Sequence, residues 1–193
     1  MSDQYEIALA RPQDLRLIAS IELAAAQLLR GHAPEAVLNE VTSERVLSDA
    51  QRDGRVWVAL AGDAPVGFAH VVVVEPNAVH LDELDVHPDH GRRGLGTRLV
   101  TAVCAWAQAR GDLPVTLATF REVPWNMPFY ARLGFEEIPR AELSPALRSV
   151  VEDEARRGLD PARRLVMRWR PGTRPRRGDG TGSRLRGPVS TKR

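Results

Sequence analysis

From Tyr5 to Ala10, apolar and polar residues alternate well enough for a first strand. Arg11-Pro12 ends it, and Pro12-Gln13-Asp14 starts a helix with proline and acid in its first turn. Leu15, Ile18, Ala19, Leu23 and Ala26 then repeat at helical spacing, until Gly31-His32-Ala33-Pro34 breaks the pattern. A second helix is expected from about Thr42-Ser43 to just before Gly54, and a strand from Arg55 to Leu60. The turn Gly62-Asp63-Ala64-Pro65 joins that strand to another over Val66 to Glu75, and Pro76-Asn77 leads to a third over Val79 to Val86. A helix follows from about Leu95 to Arg110, with Leu95, Leu99, Ala102, Val103 and Trp106 on one stripe and Gly111 as its stop. Pro114 to Thr119 reads as a strand, Asn126 to Leu133 as a short helix closed by Gly134, and Phe135 to Ile138 as a strand. Ser144-Pro145 opens a helix to about Arg157, and Arg163 to Trp169 is the last strand.

The order is β-α-α-β-β-β-α-β-α-β-α-β. Three consecutive strands require antiparallel hairpins, and the strand–loop–helix–strand after them requires a parallel crossover. The expected fold is therefore α/β (α+β): a mixed, mostly antiparallel central sheet of about seven strands flanked by helices. Beyond Pro171 the chain is Gly, Pro, Ser, Thr and Arg, a composition that buries no core. One domain over 1–170 and a basic disordered tail over 171–193 are expected.

Charge sharpens that boundary. The chain is +2, but residues 171–193 hold seven basic side chains against Asp179 alone, or +6, which leaves residues 1–170 at −4. An acidic body argues against a nucleic-acid-binding fold, and only weak contact through the tail is expected. No apolar run approaches the roughly 18 residues of a membrane span, and Met1-Ser2-Asp3-Gln4-Tyr5-Glu6 shows no signal peptide. Cys104, the lone cysteine, rules out an internal disulfide. A cytoplasmic protein without membrane contact is expected; whether it pairs with a second copy is left open.

Chemistry concentrates at Val86-His87-Pro88-Asp89-His90-Gly91-Arg92-Arg93-Gly94-Leu95-Gly96-Thr97. A strand ends, a turn with three glycines and two arginines follows, and a helix begins at once. Such a turn gathers backbone N–H groups where the helix dipole adds positive charge, which suits a phosphate or pyrophosphate; a glycine-rich turn with solvated arginines is the plain alternative. The Gly-Lys-Ser/Thr ending of a P-loop is missing, and Leu99 stands where the dinucleotide fingerprint needs its third glycine. His87, Asp89 and His90 crowd the loop, but no second cluster supports a metal, and none is expected.

The segment resembles the acetyl-CoA motif of the GNAT superfamily of N-acetyltransferases: a strand ending in Val-x-Pro, here Val86-His87-Pro88, then Gln/Arg-x-x-Gly-x-Gly/Ala, then a helix. The Gln/Arg position falls on Gly91, a departure that still supplies the backbone amide. About 30 residues on, Asn126-Met127-Pro128-Phe129-Tyr130-Ala131-Arg132-Leu133-Gly134-Phe135 resembles the superfamily's Asn…Tyr-x-x-Leu-Gly-Phe segment. The resemblance covers roughly residues 5–170. It implies transfer of an acetyl group from acetyl-CoA, the acetyl-donor cosubstrate, to a primary amine by direct attack in a ternary complex. Leu84, Asp85 and Val86 would hold the pantetheine arm, the amides of Gly91, Arg92, Arg93, Gly94, Leu95, Gly96 and Thr97 the pyrophosphate, and Asn126 the cofactor's end of the cleft. Tyr130 would protonate the leaving thiolate, and Glu83 leads as the base.

By strand alternation Glu83 and Asp85 share one face and His80 and Asp82 the other, and His80, Asp82 or a water remain open as bases. Glu122 is a candidate for a cationic substrate and Trp125 for shaping the acceptor pocket, against solvated loop and plain packing. Cys104, mid-helix beside Val103, reads as core. The acceptor is not legible. The competing function is a regulatory acyl-CoA binder without turnover, or an interaction module meeting acidic partners through the tail.

Overall fold

The computed structural model describes residues 4–172; the tail expected over 171–193 lies almost wholly outside them. Seven strands form one sheet: β1 (Tyr5–Leu9), β2 (Val56–Ala61), β3 (Ala64–Glu75), β4 (Ala78–Val86), β5 (Val115–Phe120), β6 (Glu136–Ile138) and β7 (Arg164–Trp169). Their order across the sheet is β1-β2-β3-β4-β5-β7-β6. The β4–β5 pair is parallel and its neighbours are antiparallel, the mixed sheet that the element order predicts.

The helices are α1 (Leu15–Ala26), α2 (Glu35–Leu38), α3 (Glu44–Arg52), α4 (Leu95–Ala109), α5 (Met127–Arg132) and α6 (Pro145–Arg156). Single hydroxyls start two of them: Ser43 Oγ accepts from Val46 N–H at 3.3 Å and Ser144 Oγ from Leu147 N–H at 3.2 Å. The short α2, directly after Gly31–Pro34, was not expected, because proline and glycine there read only as a break.

The sheet is covered on both faces. On one, Leu95, Leu99, Val103 and Ala107 of α4 pack on Val71, Val79, Leu81, Val115, Leu165 and Met167, with α5 at the edge of the same cluster. On the other, Ile18 and Ile21 of α1 and Leu47 and Ala50 of α3 pack on Val56, Val58, Leu60 and Phe68. Leu147 of α6 joins Ile138 and Val166, so α6 shares that second face beside α1 and α3. No helix among the described residues is long and apolar enough to cross a membrane.

Candidate functional site

The crossover strands do not stay together. β4 and β5 pair only at Val79↔Val115, His80↔Thr116 and Leu81↔Leu117. Beyond that, β4 runs on to Val86 held by β3 alone, and β5 to Phe120 held by β7 alone. The sheet is therefore open between Asp82–Val86 and Ala118–Phe120, and the edge of β4 facing the gap has no strand to satisfy its backbone groups. Leu84, Asp85 and Val86 lie on that edge, with Leu84 and Val86 packed toward α4.

The face assignment of the carboxylates differs from simple alternation. The β3–β4 register runs Phe68↔Asp85, Ala69↔Leu84, His70↔Glu83, then Val71↔Leu81 and Val72↔His80, so Asp82 is an extra residue in a bulge. Cross-strand partners share a face. His80, Glu83 and Asp85 thus stand with Phe68 and His70 on the α1/α3 face, and Asp82 reaches the same group, its Oδ2 3.3 Å from His70 Nδ1. The expected separation of Glu83/Asp85 from His80/Asp82 is corrected: one inserted residue turns all four to one side. A bulge is a property of two strands, and the partner His70 lies far from it in sequence.

Crowding shapes their acidity. Burial, then the charges of Asp85, Asp82 and Glu22, holds the Glu83 carboxyl well above the usual carboxylate range. Burial, then Glu22, pushes Asp85 up to about 8. Asp82 is lowered: burial opposes its charge, but His70, His80 and Arg157 together outweigh it. Glu22, on the buried stripe of α1, is raised by burial although Thr42 donates to it through its backbone N–H (2.9 Å) and hydroxyl (3.0 Å). Its signal in the sequence was an acid four residues after Ile18 on an otherwise apolar stripe.

His80 is 3% exposed, and burial lowers its pKa. Thr116 Oγ1 donates to Val79 O at 3.1 Å, so the 2.9 Å contact of Thr116 Oγ1 with His80 Nδ1 is donated by the imidazole. In the neutral form that burial favours, this leaves the lone pair on Nε2.

Tyr130 comes from the opposite side. It packs in the α4-side cluster, edge-on to Phe129 and Phe135 at centroid distances of 4.9 and 5.7 Å. Burial, then the charges of Asp85 and Glu83, pushes its phenol above the ordinary range, so it keeps its proton. Carboxylates on one face and a phenol from the other feel each other because the sheet is open between them. Asn126 sits one turn before Tyr130 and its carbonyl accepts Tyr130 N–H at 3.3 Å; its side chain makes no capping bond.

The loop after β4 is a 3-10 turn, Pro88–His90, followed by Arg92 at φ +56° and Gly94 at φ +76°. Alternation of this kind turns successive N–H groups toward one side. Leu95, Gly96 and Thr97 open α4, where N–H groups have no partner within the helix. Gly91 N–H is engaged by Pro88 O at 3.0 Å, so that amide is already occupied. The loop is tied down from β1: Tyr5 OH lies 3.1 Å from His90 Nδ1, Arg93 sits over the Tyr5 ring at 5.7 Å, and Arg98 Nη2 donates to Tyr5 O at 2.9 Å. Tyr5 escaped the sequence reading because no local pattern links it to a loop so far along the chain.

Of the other candidates, Glu122 is exposed and paired with Arg163 at 3.4 Å. Trp125 is 51% exposed and edge-on to His32 at 6.0 Å, at the rim formed by the α1–α2 connection. Cys104 is buried in the core, its thiol pushed up to about 12. Two ion pairs on the α6 side went unnoticed: Arg164–Glu154, with Arg164 over the Phe120 ring at 4.5 Å, and Arg157–Glu40, which ties α6 to the segment after α2.

Known proteins share this fold. The structure is similar to the PaiA N-acetyltransferase of Thermoplasma acidophilum in complex with coenzyme A, at 15% identity and TM-score 0.64, over 87% of this chain and 99% of that one. It is similar to the N-acetylglutamate synthase of Neisseria gonorrhoeae complexed with coenzyme A and N-acetyl-glutamate, at 17% identity and TM-score 0.65, over 88% of this chain and 36% of that one. The ribosomal-protein-S18-alanine N-acetyltransferase of Escherichia coli matches at 19% identity and TM-score 0.59, over 86% of this chain and 93% of that one. Likeness at these identities speaks for the fold. The model of the acetyltransferase (GNAT) family matches residues 23–135, more than half of the sequence, and with it the chain belongs to the GNAT family of acetyltransferases.

Proposed function

We propose that this acetyltransferase moves the acetyl group of acetyl-CoA onto a primary amine by direct attack, with both substrates bound across the gap between β4 and β5. The observation that carries this reading is the opening itself: it lies beside the Gly91–Thr97 loop and has carboxylates on one wall and a protonated phenol on the other. Acetyl-CoA suits the residues present. The unpaired edge at Leu84–Val86 offers backbone partners to an amide-bearing pantetheine arm, and the loop from Arg92 to Thr97 offers N–H groups and two guanidinium charges to a pyrophosphate.

An amine attacks only when neutral. Glu83, with its basicity raised by burial and neighbouring charge, accepts the proton of the incoming ammonium; Asp85 shares its wall. When bound, acetyl-CoA supplies the activated acetyl group. As the new C–N bond forms and the C–S bond breaks, Tyr130 gives its hydroxyl proton to the departing sulfur, and the proton shed by the attacking nitrogen as it becomes an amide returns to the phenolate. Asn126, one turn away, lies on the cofactor side of the same cleft. In this reading residues 1–170 are the working unit.

The test is acetyl-CoA affinity in Gly94→Val. No atom lies within 4 Å of a Cβ built on Gly94, so the strain comes from φ +76°, where a β-branched residue fits badly. Calorimetry should show acetyl-CoA binding weakened at least about tenfold. Unchanged affinity would remove the loop from the binding site.

A further inference from the structure

We infer, resting on the acyl-transfer reading above, that Phe129 is a positioning residue: its ring, seated on Gly96 in the first turn of α4, fixes where the Tyr130 hydroxyl stands relative to a cofactor held by that same turn. A Cβ built on Gly96 would lie 3.4 Å from Phe129 Cζ and 3.8 Å from its Cε2. A methyl there would just touch the ring, and a larger side chain would push it. Gly96 lies within α4, where glycine is a poor helix former, and no positive φ calls for it. What it leaves is room for α5 to close onto the start of α4. The same Phe129 ring meets Tyr130 edge-on at 4.9 Å. The two residues are consecutive on α5 and stand about 100° apart around it, so one ring can face α4 while the other turns elsewhere. Phe135 braces Tyr130 as well, at 5.7 Å, but it belongs to the buried core. Phe129 is the brace that rests on the cofactor's helix.

The backbone of α5 does not fix the phenol by itself. The helix has six residues, Asn126 gives it no side-chain cap, and the Tyr130 N–H bond to Asn126 O is 3.3 Å long. So short a helix takes its place from packing more than from its own hydrogen bonds. A proton donor helps only within hydrogen-bond reach of the atom it serves, and a small misplacement removes most of the benefit. Gly96 lies in the segment assigned to the pyrophosphate, and Phe129 rests on Gly96. Cofactor and phenol therefore take their positions from one turn of backbone, and a shift of that turn carries both.

The experiment uses the two tyrosines, Tyr5 and Tyr130. The whole protein, made with tyrosine isotope-labelled at ring Cζ, gives one NMR signal for each, and Tyr130→Phe identifies which is which. Coenzyme A is the probe, and at saturation it should shift the Tyr130 signal as its thiol arrives beside the phenol. In Phe129→Leu the affinity for coenzyme A by calorimetry should stay within about threefold of the parent. The shift of the Tyr130 signal at saturation should fall below about half, because the ring is no longer held toward the cofactor. Phe129→Met, which fills the space with a flexible chain, should show the same loss and serves if the leucine variant does not fold. A merely structural role would lower Tm or affinity and leave the shift at saturation unchanged. A shift as large in the folded variants as in the parent overturns this inference alone. A Tyr130 signal that coenzyme A does not move in the parent overturns it together with the acid role of Tyr130, and leaves the cofactor site standing. Failure of coenzyme A to bind the parent sinks the acyl-transfer reading, and this inference with it.

Discussion

A phenol that keeps its proton is useful where negative charge is about to appear beside it. In the proposed mechanism Tyr130 is that phenol: burial, then the charges of Asp85 and Glu83, raise its pKa, and general-acid help is worth about 10²–10⁴-fold. With an acceptor in hand, Tyr130→Phe should lower kcat at least about tenfold and leave acetyl-CoA affinity nearly unchanged; full kcat would leave the thiolate to depart unassisted. Asp85 makes a statement about pH. Its carboxyl, at about 8 in the folded chain against roughly 3.9 unfolded, holds an extra proton in the folded state between those values. Stability should therefore fall as pH rises from about 4 to about 8. Asp85→Asn should flatten that slope, raising Tm at the alkaline end and changing it little at the acidic end; parallel melting curves for the two proteins would refute the assignment. The loop residues and Tyr130 were legible in the sequence because each motif is a contiguous string. Glu22, His70 and Tyr5 were not, because what matters about them is who stands opposite.

Strands and helices were easier to read than their faces. All seven strands were legible from period and turn residues, since Pro, Gly and Asn mark each change of direction from Arg11-Pro12 to Gly134. The bulge was missed: the adjacent acids Asp82-Glu83 do interrupt the alternation between Leu81 and Val86, but that break takes its meaning only when β3 is laid beside it. The same pair of strands holds a sensitive contact. A Cβ on Gly67 would stand 2.9 Å from Asp85 O and 3.1 Å from Val86 Cγ2, closer than packing allows. Gly67→Ala must push β4 away at the residues assigned to the pantetheine arm. A loss of about 1–3 kcal/mol in stability is expected, read as a lower urea midpoint, together with weaker acetyl-CoA binding. An alanine variant as stable as the parent, with full affinity, would show that β4 yields freely there.

For the molecule as a whole, charge is divided along the chain: +6 in residues 171–193 and −4 before them. The acidic part contains the wall of carboxylates, and the basic part contributes nothing that a core could use. Ending the chain after Arg170 should keep Tm and acetyl-CoA affinity while reversing its retention from cation to anion exchanger near neutral pH. A large drop in Tm would mean that the removed segment supports the fold. The sheet is divided along the chain as well. β1 to β4 come from residues 5–86 and β5 to β7 from 115–169, so each side of the gap is built from one continuous stretch. Three register pairs join the two halves of the sheet directly, and α4 bridges them. Each half can zip up from its own hairpins, whereas the join waits for a crossover to close, and such non-local pairing is slow. The same join should be the first part of the sheet to exchange its amide hydrogens and the part most slowed by any ligand that spans both halves.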